Sequence, residues 1–181
     1  MQITTERLTL REFESDDWPA VLAYQQDPRY LEFYPWSTRT ESDVKEFVQW
    51  FLDEQAESPR RRFQLAVVRR DTGALIGNCG IRRKPDSDQE ADIGYEIAPE
   101  HWGRGYATEA AAALIEHGFT EMGLHRVSSW CIAGNGASAR VLAKLGLQQE
   151  GRLRENEFFK GRWWDTLVFG LLKNEWSPPK T

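Results

Sequence analysis

A strand, a glycine-rich loop and a helix of small residues follow one another near the middle of the chain. The segment EADIGYEIAP (90–99) has strand character, and Pro99 ends the strand because proline has no N–H group for a sheet hydrogen bond. Gly103 and Gly105 then flank Arg104, and small and apolar residues recur at helical spacing beyond them. Backbone N–H groups at the start of such a helix favour an anion, most often a phosphate. A plain strand-to-helix turn with exposed glycines is the alternative.

Two common phosphate-binding motifs do not fit this loop. No Lys-Ser or Lys-Thr pair follows the glycines, as a P-loop requires, and the G-x-G-x-x-G pattern of a dinucleotide-binding fold is incomplete. The loop therefore predicts an anion site of another kind, to which Arg104 adds a charge-assisted contact.

The remaining segments carry strand and helix patterns in turn. Predicted strands cover 3–13, 61–70, 74–84, 90–99, 125–133 and the two arms of 150–172, and predicted helices cover 14–27, 40–57, 107–122 and 135–147. In the last helix Asn135 is a natural N-cap, and Gly146 is a natural residue to end it, with Leu147 packing back on Leu142. The order β α α β β β α β α β β predicts an α/β fold with a mixed sheet.

Composition limits the class of protein. A chain of 181 residues with 40% hydrophobic content predicts a single globular domain over 1–181. The chain has no apolar run long enough to span a bilayer and no secretory signal at its start, which predicts a cytoplasmic protein without membrane contact. The net charge of −5 argues against nucleic-acid binding and mildly favours basic or amine-bearing partners. Cys79 and Cys131 are expected to be buried free thiols.

Two motifs together resemble those of the GCN5-related N-acetyltransferase (GNAT) superfamily. IGYEIAPEHWGRGYATEA looks like its acetyl-CoA motif Q/R-x-x-G-x-G/A, although Trp102 stands where the family usually has Gln or Arg. NGASARVLAKLGL is similar to the second family signature. The segments TERLTLREF, EGRLRE and GLLKNEW make the branch that acetylates ribosomal-protein N-termini the nearest relative. The implied fold is a central, mostly antiparallel, twisted sheet flanked by helices.

The resemblance implies that acetyl-CoA lies along the first motif. In the family, the strand before the loop splays from its neighbour and its backbone pairs with the pantetheine arm, a role that falls here on Glu96, Ile97 and Ala98. The loop amides hold the pyrophosphate, and Asn135 bonds the pantetheine unless it serves only as an N-cap. The residues predicted to bind the cofactor are Ile97, Ala98, Trp102, Gly103, Arg104, Gly105, Tyr106, Ala107, Thr108 and Asn135.

Acid and base roles fall on Ser138 and Glu96. Many GNAT enzymes use a tyrosine seven residues after the asparagine to protonate the leaving thiolate, and this chain has Leu142 there. Ser138 is the nearest other hydroxyl, with a local capping role as the alternative. Glu96 is the predicted base, directly or through water, because a carboxylate on a half-buried strand is costly unless it is functional or paired. Pairing with a nearby arginine is the alternative for Glu96.

Other polar and aromatic groups are given ordinary roles. The three histidines lack the spacing of metal ligands, so no metal is expected. Arg60, Arg61 and Arg62 are expected in a solvated turn. Most of the eight tryptophans are expected in the core, and Trp36, Trp163 and Trp164 occupy segments that would alternatively line an acceptor groove.

The sequence thus predicts an acetyl-CoA-dependent N-acetyltransferase acting by direct attack of a primary amine. A protein N-terminal α-amine, as on a ribosomal protein, is the favoured acceptor. A small-molecule amine and a non-catalytic acyl-CoA sensor are the two alternatives, and a monomer and a homodimer are both compatible with the sequence.

Overall fold

The computed structural model describes residues 1–179. Eight strands form one sheet in the order β1-β2-β3-β4-β5-β6-β8-β7. The strands are β1 Gln2–Thr4, β2 Leu8–Glu12, β3 Arg62–Arg69, β4 Leu75–Arg83, β5 Glu90–Ile97, β6 Arg126–Ile132, β7 Gln148–Phe159 and β8 Arg162–Leu172. The helices are α1 Trp18–Gln25, α2 Pro28–Leu31, α3 Glu41–Gln55, α4 Tyr106–Thr120 and α5 Gly136–Lys144. All strand pairs are antiparallel except β5 with β6, so the mostly antiparallel mixed sheet is confirmed.

Helices cover both faces of the sheet. One apolar cluster joins α4 to β3, β4 and β5, with Leu65, Ile81, Ile93 and Leu114 at most 2% exposed. A second cluster on the other face joins α1, α2 and α3 to the sheet through residues such as Val21, Val44, Phe51 and Ala66. Side chains of successive strand residues point to opposite faces, so β3 contributes Leu65 and Val67 to the first cluster and Ala66 to the second.

The helix boundaries follow from local chemistry. Thr40 begins α3 by accepting a hydrogen bond from the Asp43 N–H at 3.2 Å, and the Asp43 carboxylate accepts one from the Thr40 N–H. Asn135 caps α5 through its side-chain oxygen, as predicted. Beyond the other end of α5, Gly146 has a φ of +83° and the Leu147 N–H donates to the Leu142 carbonyl, which confirms the predicted C-terminal motif.

Two predictions of local structure were wrong. The segment 3–13, predicted as one strand, is the hairpin β1–β2, in which Thr5 turns the chain by bonding its N–H to the Leu8 carbonyl at 2.9 Å. The short helix α2 was not predicted, although Asp27 caps it and Pro28 occupies its first position. Both free cysteines are buried, as expected.

Strands β5 and β6 pair over only the first part of β5. Their parallel pairing runs from Glu90 with Arg126 to Asp92 with Ser128 and goes no further. Beyond this point the second half of β5 faces a gap, and α4 and α5 begin beside it. The gap positions the candidate site.

Candidate active site

Two cavities meet at the open half of β5. One, of about 470 Å³, lies toward the starts of α4 and α5. The other, of about 610 Å³, lies toward α3, β6 and the tip of the β7–β8 hairpin. Six residues line both cavities: Phe33, Tyr34, Tyr95, Glu96, Asn135 and Ser138. We call the first cavity the α4-side cavity and the second the α3-side cavity.

The backbone at the end of β5 is partly free. The Ala98 N–H donates to the Ile76 carbonyl of β4 at 2.8 Å, and Glu96 pairs with Asn78 of β4. Because successive residues of an antiparallel strand direct their N–H and C=O groups to opposite sides, those of Tyr95 and Ile97 face the gap. The Ile97 carbonyl accepts a hydrogen bond from the Trp102 indole at 2.5 Å.

The loop with Gly103 and Gly105 leads into helix α4, whose N-terminus has no side-chain cap within residues 1–179. Gly103 and Gly105 have φ values of +74° and +83°, a region that favours glycine. Gly105 is the N-cap of α4, and no side chain of the described chain caps that helix. The N–H groups of its first turn are therefore available at the edge of the α4-side cavity, where the helix dipole adds positive potential.

A neighbouring hairpin supports this loop. Arg7 donates to the Arg104 carbonyl at 2.9 Å and to the Glu109 carboxylate at 2.7 Å, and its guanidinium lies 4.7 Å from the centre of the Tyr106 ring. Thr5 also donates to Glu109, at 2.6 Å. These contacts connect the β1–β2 hairpin to the first turn of α4, and they were not predicted from the sequence.

Ser138 has a hydroxyl neighbour. Its N–H donates to the Asn135 side chain at 3.0 Å, and its Oγ lies 3.1 Å from the Tyr95 hydroxyl. Burial raises the pKa of Tyr95 above its usual value, so this hydroxyl keeps its proton at neutral pH. A pair of protonated hydroxyls therefore lies at the junction of the two cavities.

Glu96 is surrounded by neutral donors. Its Oε2 accepts from Asn78 Nδ2 at 2.8 Å and from the Tyr24 hydroxyl and Gln25 Nε2 at 3.2 Å each. Within residues 1–179, its Oε1 accepts only from the Tyr34 hydroxyl, at 3.0 Å. No lysine or arginine of residues 1–179 forms an ion pair with it. The alternative of direct arginine pairing is therefore wrong.

The two tyrosines beside Glu96 stay protonated and donate hydrogen bonds to it. Burial first, and then the charge of Glu96, raise the pKa of both Tyr24 and Tyr34 well above the usual value. Neither hydroxyl ionises in the neutral range. Because Oε2 already has three donors and Oε1 has one, Oε1 is the oxygen with room for a further proton.

The fold and this geometry match a known family. The family model described as an acetyltransferase (GNAT) domain matches residues 7–148. The chain belongs to the GNAT acetyltransferase family. It is 37% identical over 177 residues to a Bacillus subtilis protein named "Uncharacterized N-acetyltransferase YnaD", with 98% of this chain and all of that protein covered.

Two further comparisons agree with this GNAT assignment. A second B. subtilis protein, YdaF, carries the provisional name of a ribosomal N-acetyltransferase and is 34% identical over 108 residues, which cover 60% of this chain and 59% of that protein. The crystal structure of a GNAT-family acetyltransferase from Bacillus anthracis has a TM-score of 0.85 and 31% identity, and covers 97% of this chain and all of that one.

GNAT enzymes take the acetyl group from acetyl-CoA, and the α4-side cavity has features that fit such a ligand. Two buried polar atoms on its lining residues, the Tyr30 hydroxyl and His101 Nδ1, find no hydrogen-bond partner among residues 1–179. Burial lowers the pKa of His101, so its ring is neutral near pH 7. Orphaned polar atoms in a cavity are expected where a polar ligand completes the bonding.

Most residues predicted to bind the cofactor line the α4-side cavity of this GNAT domain. Ile97, Trp102, Gly103, Gly105, Tyr106, Ala107, Thr108 and Asn135 do so. Arg104 and Ala98 do not: the Arg104 side chain is exposed, and Ala98 packs in the apolar cluster beneath α1 and α3. Arg140 and Lys144 of α5 also line this cavity and were not predicted.

The aromatic residues are arranged differently from the prediction. Trp36 lines the α3-side cavity, as expected, whereas Trp164 is buried and Trp163 is exposed at the hairpin tip, 5.1 Å from Phe158 between ring centres. Trp50 and Trp130 line this cavity instead. Neither was predicted, because a lone tryptophan on a helix or strand has no signal that separates a groove from the core.

The predicted solvated turn of arginines is wrong. Arg60 pairs with Glu12, Arg61 with Asp88, and Arg62 with Glu54, at distances of 2.6, 2.6 and 2.8 Å. The Arg62–Glu54 pair lies in the wall of the α3-side cavity.

Two classes of site are not seen in the part of the chain that the structure describes. No group of three His, Cys, Asp or Glu side chains there could hold a metal ion. No helix within residues 1–179 is long and apolar enough to cross a bilayer.

Proposed function

We propose that this N-acetyltransferase acetylates the α-amine of a peptide or protein N-terminus, with Glu96 as the base. The observation that carries the proposal is the position of Glu96 at the junction of two cavities, bonded only to neutral donors. A carboxylate in direct contact with an arginine is a weak base, whereas one held by neutral groups keeps more of its basicity. Oε1 of Glu96 takes the proton from the acceptor ammonium, directly or through water.

The cost of deprotonation favours an α-amine. An α-amine has a pKa of about 7.7–8.0 and a lysine about 10.4, so the neutral nucleophile near pH 7 costs roughly 1 kcal/mol in the first case and about 4.6 kcal/mol in the second. A single carboxylate suits the smaller requirement.

The aromatic wall of the α3-side cavity favours an acceptor with an apolar body. The charges in this wall are largely paired: Glu54 pairs with Arg62, and Arg82 pairs with Asp92. The aromatic wall formed by Trp36, Phe47, Trp50, Trp130 and Phe158 suits an amine that is attached to an apolar body, such as a peptide with an apolar first side chain.

Residues of the α4-side cavity bind acetyl-CoA and protonate the leaving sulfur. The first turn of α4 and the Gly103–Gly105 loop bind the pyrophosphate, and the open backbone of β5 and Asn135 contact the pantetheine arm. Bound acetyl-CoA supplies the acetyl thioester. Ser138, hydrogen-bonded to Tyr95, donates a proton to the departing sulfur as the new C–N bond replaces the C–S bond, which balances the proton that Glu96 removes from the amine.

A small-molecule amine is the second candidate, since the acidic chain attracts small basic amines as well as basic proteins. The name of YdaF and the net charge of −5 favour a basic protein such as a ribosomal protein. The expected cytoplasmic location and the single domain over 1–181 stay predictions.

The test compares acceptors by kcat/KM. Peptides with free N-termini are compared with the same peptides blocked at the N-terminus and carrying one internal lysine, and with polyamines and aminoglycosides. We expect the free N-termini to be preferred at least tenfold. Preference for the blocked peptides or for the small amines contradicts the proposal.

A further inference from the structure

A line of buried amides runs from Arg82 to Glu96 along one face of the sheet. Arg82 Nη1 donates to Gln64 Oε1 at 3.0 Å, and Gln64 Nε2 donates to Asn78 Oδ1 at 2.6 Å. Asn78 Nδ2 then donates to Glu96 Oε2 at 2.8 Å. Gln64 and Asn78 are 6% and 2% exposed, so both amides are buried.

A second, shorter line reaches the same oxygen from the helical side. Arg39 Nε donates to Gln25 Oε1 at 3.0 Å, and Gln25 Nε2 donates to Glu96 Oε2 at 3.2 Å. Gln25 is fully buried. Two arginines therefore connect to one carboxylate oxygen without either of them forming an ion pair with it.

The arginines determine which atom of each amide faces which neighbour. A guanidinium has five donors and no acceptor, so the amide atom that faces it must be the oxygen. The amide NH₂ then points away from the arginine, toward Asn78 in one line and toward Glu96 in the other. Each line can present only a donor to Glu96.

We propose that Arg82 with Gln64 and Asn78, and Arg39 with Gln25, are positioning residues that hold Glu96 as an acceptor-only carboxylate and transmit the arginine charges through amides. This inference rests on the proposed function, in which Glu96 is the base. A direct arginine contact would make a weak base, and an unsupported buried carboxylate would take up a proton too easily. The amide lines direct their donors to Oε2 and leave Oε1 with the Tyr34 hydroxyl.

Two glycines of the sheet provide the space that the longer amide line occupies. Gly80 and Gly94 face each other across β4 and β5. A Cβ at Gly80 would lie 1.9 Å from Gln64 Oε1, and a Cβ at Gly94 would lie 2.8 Å from Arg82 Nη2. Any larger residue at either position would displace a member of the line. These two glycines are explained by the amide line and not by backbone conformation, since neither has a positive φ.

The test measures the protonation of Glu96 directly. The chain is labelled with ¹³C at the glutamate δ-carboxyl, and the Glu96 signal is assigned by its loss in Glu96→Gln. Removing hydrogen bonds from a carboxylate raises the pH at which it protonates. Because each variant removes a donor from one of the two lines, we expect the midpoint in Gln25→Met, Gln64→Met and Arg82→Met to lie measurably above that of the unaltered protein.

Arg83→Met is the matched control. Arg83 is the next residue of β4, points to the other face and bonds the Asp88 and Met122 carbonyls, so its loss removes the same charge without touching the line. Both arginine variants carry Asp92→Asn, because Arg82 pairs with Asp92 and its loss would otherwise leave that carboxylate unpaired. We expect a shift below about 0.2 units there. The double variant Gln64→Met/Arg82→Met should shift no more than the larger single shift, because both changes break one line.

The outcomes separate the two proposals. Equal shifts in Arg82→Met and Arg83→Met, additive shifts in the double variant, or no shift in Gln25→Met and Gln64→Met would overturn the amide lines. If Arg82→Met does not fold, Gln64→Met alone tests this line: it adds no charge and can no longer donate to Asn78, so the midpoint must still rise. Unchanged turnover of Glu96→Gln would refute the base and leave this titration valid.

Discussion

The hydroxyl of Tyr95 lies 3.1 Å from the Oγ of Ser138, across the gap between β5 and α5. Tyr95 and Glu96 are successive residues of β5, so their side chains point to opposite faces of the sheet. The pair of hydroxyls thus lies on the face of α4 and α5, and the carboxylate on the face of α1 and α3. Strand β5 thus carries the proposed base and the tyrosine that bonds the proposed acid Ser138 of α5.

The first prediction concerns this hydroxyl pair. Ser138→Ala and Tyr95→Phe should each lower kcat by about ten- to a hundredfold and leave KM for acetyl-CoA within about twofold, since proton donation acts in the transition state. The double variant should be no slower than the slower single variant, because the two groups act as one unit. Steady-state kinetics measures this, with Ser128→Ala, a β6 serine that lines neither cavity, as the control. Wild-type turnover in both single variants would show that solvent protonates the thiolate.

The second prediction concerns the helix start. Gly105→Val should lower acetyl-CoA affinity at least tenfold, because a side chain there closes the approach to the α4 amides. Gly105 has a φ of +83°, so the change also strains the backbone. Gly123→Val is the matched control: its φ is +66°, and a Cβ there meets nothing within 4 Å. Calorimetry on both variants separates strain from a blocked site, and equal affinity in the two would contradict the pyrophosphate assignment.

The third prediction concerns the base. Glu96→Gln should lower kcat by about a hundredfold and remove the acidic limb that Glu96 contributes to the pH profile of kcat/KM. The profile is recorded with two acceptors of different amine basicity, because a limb due to the enzyme stays in place while one due to the amine moves. The exposed Glu121→Gln should behave like the unaltered protein. An acidic limb that survives in Glu96→Gln, and does not follow the amine, would assign the base elsewhere.

The fourth prediction concerns stability and pH. Burial alone would raise the pKa of Glu109, but hydrogen bonds from Thr5 and Arg7 outweigh it and hold this pKa below its ordinary value of 4.5. A depressed folded-state pKa stabilises the fold above the unfolded value, and the gain is lost as pH falls through the folded value. Glu109→Gln should therefore cost about 1 kcal/mol near pH 7, a modest figure because Arg7 is half exposed and screened.

Thermal unfolding from pH 3 to 7 measures this difference. The gap in Tm between Glu109→Gln and the unaltered protein should be largest near pH 7 and should narrow as the pH falls below the ordinary glutamate value of 4.5. Glu121→Gln should show no such gap. A gap that is independent of pH would mean that the substitution acts through packing and not through the charge of Glu109.

The sequence predicted the parts of the site that local chemistry controls. A strand that ends before Pro99, a glycine loop that precedes a helix and the Asn135 cap each depend on a few neighbouring residues, and each was found where expected. The hairpin β1–β2 was missed because Thr5 makes its turn through a local bond that has no glycine or proline to mark it.

Long-range contacts explain the rest. Tyr95 lies 43 positions from Ser138 along the chain, and Arg7 lies 102 positions from Glu109. The donors around Glu96 come from α1, β4 and the segment after α2, and their side chains are ordinary core tyrosines and amides when considered alone. Only the sheet register brings Asn78 opposite Glu96. Patterns of one sequence do not contain that register.

The last prediction separates the two cavities by their tryptophans. Trp102 lines only the α4-side cavity, where its indole holds the Ile97 carbonyl, and Trp130 lines only the α3-side cavity, where it is 60% exposed. Trp102→Ala should raise KM for acetyl-CoA several-fold and leave KM for the acceptor unchanged. Trp130→Ala should do the reverse, by about tenfold for a peptide that begins with an apolar residue, because a large aromatic contact is lost.

The size of the first acceptor side chain supplies the internal control for Trp130→Ala. A peptide that begins with glycine buries little area against this wall, so its KM should change less than about twofold. Initial rates are measured with each peptide varied at saturating acetyl-CoA, and with acetyl-CoA varied at a saturating concentration of each peptide. For each variant they give KM for the two peptides and KM for acetyl-CoA with each peptide. An increase in KM for acetyl-CoA in Trp130→Ala, or equal losses for the glycine and apolar peptides, would show that the aromatic wall does not contact the acceptor side chain.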